Sequence, residues 1–143
     1  MISVERLFKT TPERVWDVLS DGWLYPLWVV GASRMREVDD TWPAVGSKLH
    51  HSVGSWPALL DDDTEVTACE PRQLLGLRAR AWPFGEAAVQ LHLEAQGAGT
   101  RVVIEEDAVS GPGTLVPTPI RAPGLKWRNV ETLRRLAFIA ERR

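Results

Sequence analysis

Side-chain polarity alternates residue by residue from about Ala32 to Asp107, and turn-forming breaks interrupt it at Asp39-Asp40, Val45-Gly46, Gly54 to Pro57, Asp61 to Asp63, Glu70-Pro71, Pro83 to Gly85 and Gly97 to Gly99. A repeat of two is that of a β-strand with one buried face. Parallel neighbours need crossovers of a dozen or more residues, and these breaks are much shorter. The segment therefore predicts six short strands joined as an antiparallel meander. Such a sheet needs a second layer over its apolar face.

The flanking sequence supplies that layer. Met1 to Phe8 alternates and reads as one more strand, followed by the polar break Lys9-Thr10-Thr11. Thr11 before Pro12, or Thr10 with Glu13 as a capping box, starts a helix whose buried stripe is Val15, Trp16, Val18 and Leu19 and which Asp21-Gly22 ends. Trp23 to Trp28, broken by Pro26, reads as a second short helix or a kinked turn. Ser110 to Gly124 holds four prolines and three glycines and predicts a loop, either flap or connector. Leu125 to Arg143 predicts a long terminal helix with Leu125, Leu133, Leu136, Ala137 and Ala140 inward and Arg134, Arg135 and Glu141 outward.

At 143 residues the chain has the size of one domain, and 44% apolar with 25% charged residues excludes disorder and a membrane bundle. A net charge of −2 argues against nucleic acid as the main partner, although Pro123 to Arg143 has six basic against two acidic residues. Cys69, the single cysteine, permits neither an internal disulfide nor a Cys-rich zinc site. The charged opening is unlike a secretory signal, and no apolar run approaches the ~20 residues that span a bilayer. A cytoplasmic protein without integral membrane association is expected, monomer or homodimer.

Alternation also divides the sheet into two faces. One carries Leu49, His51 and Val53; Leu75, Leu77, Ala79 and Ala81; Ala87, Val89, Leu91 and Leu93; and Val102, Ile104 and Glu106. His51 and Glu106 are thus ionisable groups expected inside. Alanine at 79, 81 and 87 leaves volume for tryptophans or a ligand to fill. Asn129 joins the apolar stripe of the terminal helix, between Leu125 and Leu133, and a buried amide needs partners. Of the seven tryptophans, Trp16 and Trp127 are assigned to packing, whereas Trp28, Trp56 and Trp82 sit at turns where a cavity mouth would open. His50 and His51 point to opposite faces, so with His92 they make no metal site. No P-loop, Rossmann fingerprint, G-x-S-x-G or H-E-x-x-H motif occurs, and no cofactor is expected.

The TTPERVWDVLSDG opening, the Val45-Gly46-Ser47 turn into the His-containing strand, Gly99-Thr100-Arg101-Val102 leading to Glu105-Glu106, the SGPG loop, and Arg128-Asn129 with LRRL span nearly the whole chain. On these residues the sequence resembles the SRPBCC superfamily, which includes START and birch-pollen-allergen-like proteins, and most closely its polyketide cyclase/dehydrase-like members. The resemblance implies an α+β helix-grip fold: a curved antiparallel sheet of about seven strands around the long C-terminal helix, enclosing an apolar cavity. Fold alone leaves the function open.

The first expectation is a binder of a small hydrophobic molecule such as a lipid or polyketide. Its walls would be Leu77, Ala79, Ala81, Val89, Leu91, Ile104 and Leu133, with Trp28, Trp56 and Trp82 at the turns and His51, Glu106 and Asn129 orienting the guest. The alternative is a polyketide cyclase, aromatase or dehydratase using His51 and Glu106 as acid/base groups. A third class is an interaction module, as in superfamily members that act with chaperones.

Overall fold

The computed structural model describes residues 2–30, 32–53, 60–81 and 85–142. Seven antiparallel strands, β1 (Ile2–Phe8), β2 (Ala32–Val38), β3 (Lys48–Val53), β4 (Leu60–Glu70), β5 (Leu74–Ala81), β6 (Gly85–Gln96) and β7 (Gly99–Ser110), form one sheet in the order β1-β7-β6-β5-β4-β3-β2. The six central strands are the expected meander, and β1 closes the sheet against the last of them. Register shifts in β2–β3, β4–β5 and β6–β7 add local twist. Helices α1 (Pro12–Leu19), α2 (Tyr25–Trp28) and α3 (Thr118–Glu141) complete the fold, with short 3₁₀ turns at Gly22–Leu24 and Pro112–Leu115.

Thr11 caps α1 by accepting from the Arg14 amide at 3.3 Å, with Pro12 in the first turn. Its missing amide hydrogen would have had no intrahelical partner there. Val15, Val18 and Leu19 are buried, and Asp21 caps the following turn through the Trp23 amide. The core beneath the sheet joins these residues to Phe8, Leu49, Leu75, Leu91, Val102, Leu133, Leu136, Ala137 and Ala140.

Three sequence expectations are corrected. Ser110 to Gly124 is largely regular: β7 reaches Ser110, a 3₁₀ turn follows, and α3 starts at Thr118, seven residues before the expected Leu125. Pro119 lies in the first turn, where proline is tolerated, and the helix continues through Pro123. Asp61 to Asp63 is not a break but part of β4, its charges compensated: Lys48 faces Asp63 at 3.9 Å and Arg80 faces Asp62 at 3.6 Å. Trp127, assigned to packing, is 67% exposed, because the inward stripe of α3 runs through Asn129, Leu133 and Leu136 instead.

Candidate functional site

The rungs of the sheet explain where space opens. Val4, Ile104, Leu91 and Leu75 lie side by side across β1, β7, β6 and β5, four large side chains that close one level of the interior. The next level is Ile2, Glu106, Val89 and Leu77, and the one beyond it is Ala108, Ala87, Ala79 and Thr64. Side-chain volume falls towards that end of the sheet, and α2 and α3 do not fill it. A cavity of about 90 Å³ remains, walled by Leu77, Ala79, Ala87, Val89 and Ile104 from the sheet, Tyr25 and Trp28 from α2, Val29 and Val30 after it, and Arg128, Asn129 and Thr132 from α3, with Glu106 at its wall. That is roughly the share of three liquid waters.

Polar groups are few and specific. Glu106, 3% exposed, is ion-paired with Arg128, whose side chain reaches in from the surface with about a third of its area still in water. Thr64 receives two neighbours: His51 Nε2 lies 2.8 Å and Tyr25 Oη 3.3 Å from its Oγ1. With one hydroxyl proton and two lone pairs, Thr64 donates to at most one of these neighbours and accepts from the other or from both. The His51 ring stacks on Tyr25 at 5.6 Å, and Tyr25 meets Trp28 edge-on at 5.2 Å. Burial pushes the His51 imidazolium down, against the pull of Asp62 and Asp63, and so favours a neutral ring. Burial likewise pushes the Tyr25 phenol up, partly offset by its bond to Thr64. The Val30 amide donates to Thr132 Oγ1 at 3.5 Å, tying the segment after α2 to α3.

Three buried nitrogens have no partner among the described residues at this site: Trp28 Nε1, Asn129 Nδ2 and His51 Nδ1. The first two belong to cavity-wall residues and are hydrogen-bond donors. Unpaired buried donors are costly, so a wall that holds two of them suits a guest that brings an acceptor. Among the described residues no group of three or more His, Cys, Asp or Glu side chains gathers to hold a metal.

Of the residues singled out in the sequence, Trp28, Leu77, Ala79, Val89, Ile104, Glu106 and Asn129 meet at this cavity. His51 sits one hydrogen bond behind its wall, through Thr64. Leu91 and Leu133 are instead in the closed core, 0% and 1% exposed, because their level of the sheet is filled by leucine and isoleucine. Trp56, Trp82 and the side chain of Ala81 lie outside the described residues. Sequence reasoning missed Tyr25, Thr64, Arg128 and Thr132 as parts of the site. Thr132 follows Asn129 by three residues and so shares its helix face, while Thr64 follows from alternation with buried Val66.

A family model described as polyketide cyclase / dehydrase and lipid transport matches residues 1–141. Among solved structures, the chain is similar to a protein from Nitrosomonas europaea, with a TM-score of 0.74 and 15% identity over 99% of this chain and 94% of that one. It is similar to Ara h 8.0201, with a TM-score of 0.74 and 12% identity over 99% and 97%. It is also similar to the di-domain ARO/CYC StfQ from the steffimycin biosynthetic pathway, with a TM-score of 0.74 and 10% identity over 99% of this chain and 51% of that one. At these identities the likeness establishes the helix-grip fold. No curated protein sequence matches.

Proposed function

The chain belongs to the polyketide cyclase / dehydrase and lipid transport family, and from that premise we propose that it acts as one ligand-binding domain for a small, mostly apolar molecule carrying a hydrogen-bond acceptor. The observation that supports this reading is the pair of unpaired donors, Trp28 Nε1 and Asn129 Nδ2, on a wall whose other polar side chains, Tyr25, Glu106, Arg128 and Thr132, already have partners. Burial of the guest's apolar surface at about 25 cal/mol per Å² supplies the attraction, and the two donors select its orientation. The described space is smaller than the ~150 Å³ that admits benzene in an engineered apolar cavity, so a ring-sized guest must shift side chains or extend past Arg128 at the surface.

The catalytic alternative rests on a different set of contacts. A direct acid/base pair of His51 and Glu106 draws little support, since Arg128 engages the carboxylate and His51 stands behind the wall. A neutral His51 linked through Thr64 to Tyr25, a cavity-wall residue, is the arrangement that favours taking a proton from a guest, with Tyr25 and Thr64 each passing one on until the imidazole holds it.

The test compares two probes of nearly equal shape, acetophenone and isopropylbenzene, by ¹H–¹⁵N and methyl NMR. Acetophenone is expected to move the Trp28 indole N–H and the Ala79 and Ala87 methyl signals, and isopropylbenzene to move the methyls with a weaker affinity by about tenfold. If neither probe disturbs the alanine methyls, the cavity is not a binding site. Equal affinity for both removes the role given to the donors.

A further inference from the structure

We propose that the outer face of α3 docks on an anionic lipid bilayer, a property separate from the cavity and from whatever it binds. Two observations carry it. Ile120, Trp127, Val130 and Phe138 are 70%, 67%, 52% and 54% exposed. At about 3.6 residues per turn they fall, with Arg134, within roughly a quarter turn of one another, a stripe running about 27 Å along the helix. Large apolar side chains left in water along one continuous face mark a contact surface.

Charge then selects the partner. Residues 118–143 carry seven Lys and Arg against two Asp and Glu, a balance of +5, whereas residues 1–117 carry ten against seventeen, a balance of −7. The chain is acidic except along the helix that presents the stripe. Exposed Lys126 lies beside it, Arg134 lies within it and is ion-paired with Glu131 at 2.6 Å, and Arg142 lies over the Phe138 ring at 3.7 Å. A basic helix with tryptophan and other large apolar side chains facing out suits the headgroup region, where indole settles and cations meet lipid phosphates. The one depression among the described residues of this face, between Leu27 and Arg134, Arg135, Phe138 and Ile139, takes in only the C-terminal end of the stripe and leaves Ile120, Trp127 and Val130 outside it. Leu115, 83% exposed, and Val116, 39% exposed, precede α3, and the 3₁₀ turn that ends at Leu115 packs on β6 and β7.

The experiment is vesicle flotation of the full chain with phosphatidylcholine vesicles containing about 30 mol % phosphatidylglycerol, and with pure phosphatidylcholine vesicles. Binding is expected to the anionic vesicles, at least tenfold stronger than to the neutral ones, and to weaken steeply at about 0.5 M NaCl. The exposed replacements Trp127→Gln with Ile120→Ser are expected to lower it by about tenfold, and Lys126→Gln by about fivefold. Acetophenone titration of the same variants reads the cavity independently. Vesicle binding absent with the acetophenone response intact overturns the docking face and leaves the cavity reading standing. Light scattering that shows a dimer dissolved by Trp127→Gln overturns it in favour of a second copy of the chain. Salt-sensitive capture by an acidic protein without vesicle binding overturns it in favour of a protein partner.

Discussion

Arg128, in the long helix, is ion-paired with Glu106, a carboxylate buried on the last strand, and the pair spans the two layers that grip the cavity. Removing only the cation leaves a buried charge without its partner, which for fully buried pairs costs about 3–5 kcal/mol. Arg128 is about a third exposed, so solvent screening lowers the expectation to about 2 kcal/mol for Arg128→Met. The double replacement Arg128→Met with Glu106→Gln is expected to recover at least half of that loss in urea unfolding. Additive losses in the double variant would show that the two residues do not act as a pair.

The neutral state of His51 makes stability depend on pH. Its folded pKa is lowered below the ordinary 6.5 by burial, so below that value the unfolded chain takes up a proton that the folded chain refuses. Stability from this group is therefore complete above the unfolded pKa and falls as pH drops towards the folded one. His51→Gln is expected to flatten the decline of melting temperature between about pH 7 and 5. An unchanged slope in that window would assign the decline to other groups.

Filling the alanine level separates binding from folding. Ala79→Leu places three extra carbons towards a cavity of about 90 Å³ and is expected to change stability by less than about 1.5 kcal/mol. Acetophenone affinity should fall at least tenfold, as read by the Ala87 methyl shift. Retained affinity in a well-folded variant would place the probe elsewhere.

Gly85 opens β6 with φ +102°, and a Cβ there would stand 2.0 Å from the Ser110 carbonyl oxygen. Neither the backbone conformation nor the contact tolerates a side chain, and the blocking atom is backbone. Gly85→Ala is expected to cost about 3 kcal/mol in chemical denaturation. A loss below about 1 kcal/mol would mean that β6 and β7 separate easily at this end.

The meander was legible because alternation and turn chemistry are local: β2, β3, β5, β6 and β7 could be read from their own residues, and β4 from Thr64 onward. The start of α3 was not, since proline and glycine at 119, 123 and 124 argue for a loop, and packing of the following stripe under the sheet overrides them. At the site, the inward side of Glu106 and the space near Ala79 and Ala87 followed from parity alone. Arg128 did not, because a cation one residue before Asn129 on a helix reads as surface until the helix is laid against Glu106. Thr64 was hidden by the acidic triplet before it, which reads as a turn when the balancing Lys48 and Arg80 are not in view.

The strand that begins the chain pairs with the strand made last: Ile2 lies opposite Glu106 and Phe8 opposite Thr100. During synthesis β1 therefore waits for its partner, and no neighbouring strand can pair with it until residues 99–110 have left the ribosome. Closure of the sheet is a late, long-range event, of the kind that slows folding and leaves an open edge exposed to neighbouring chains in the meantime.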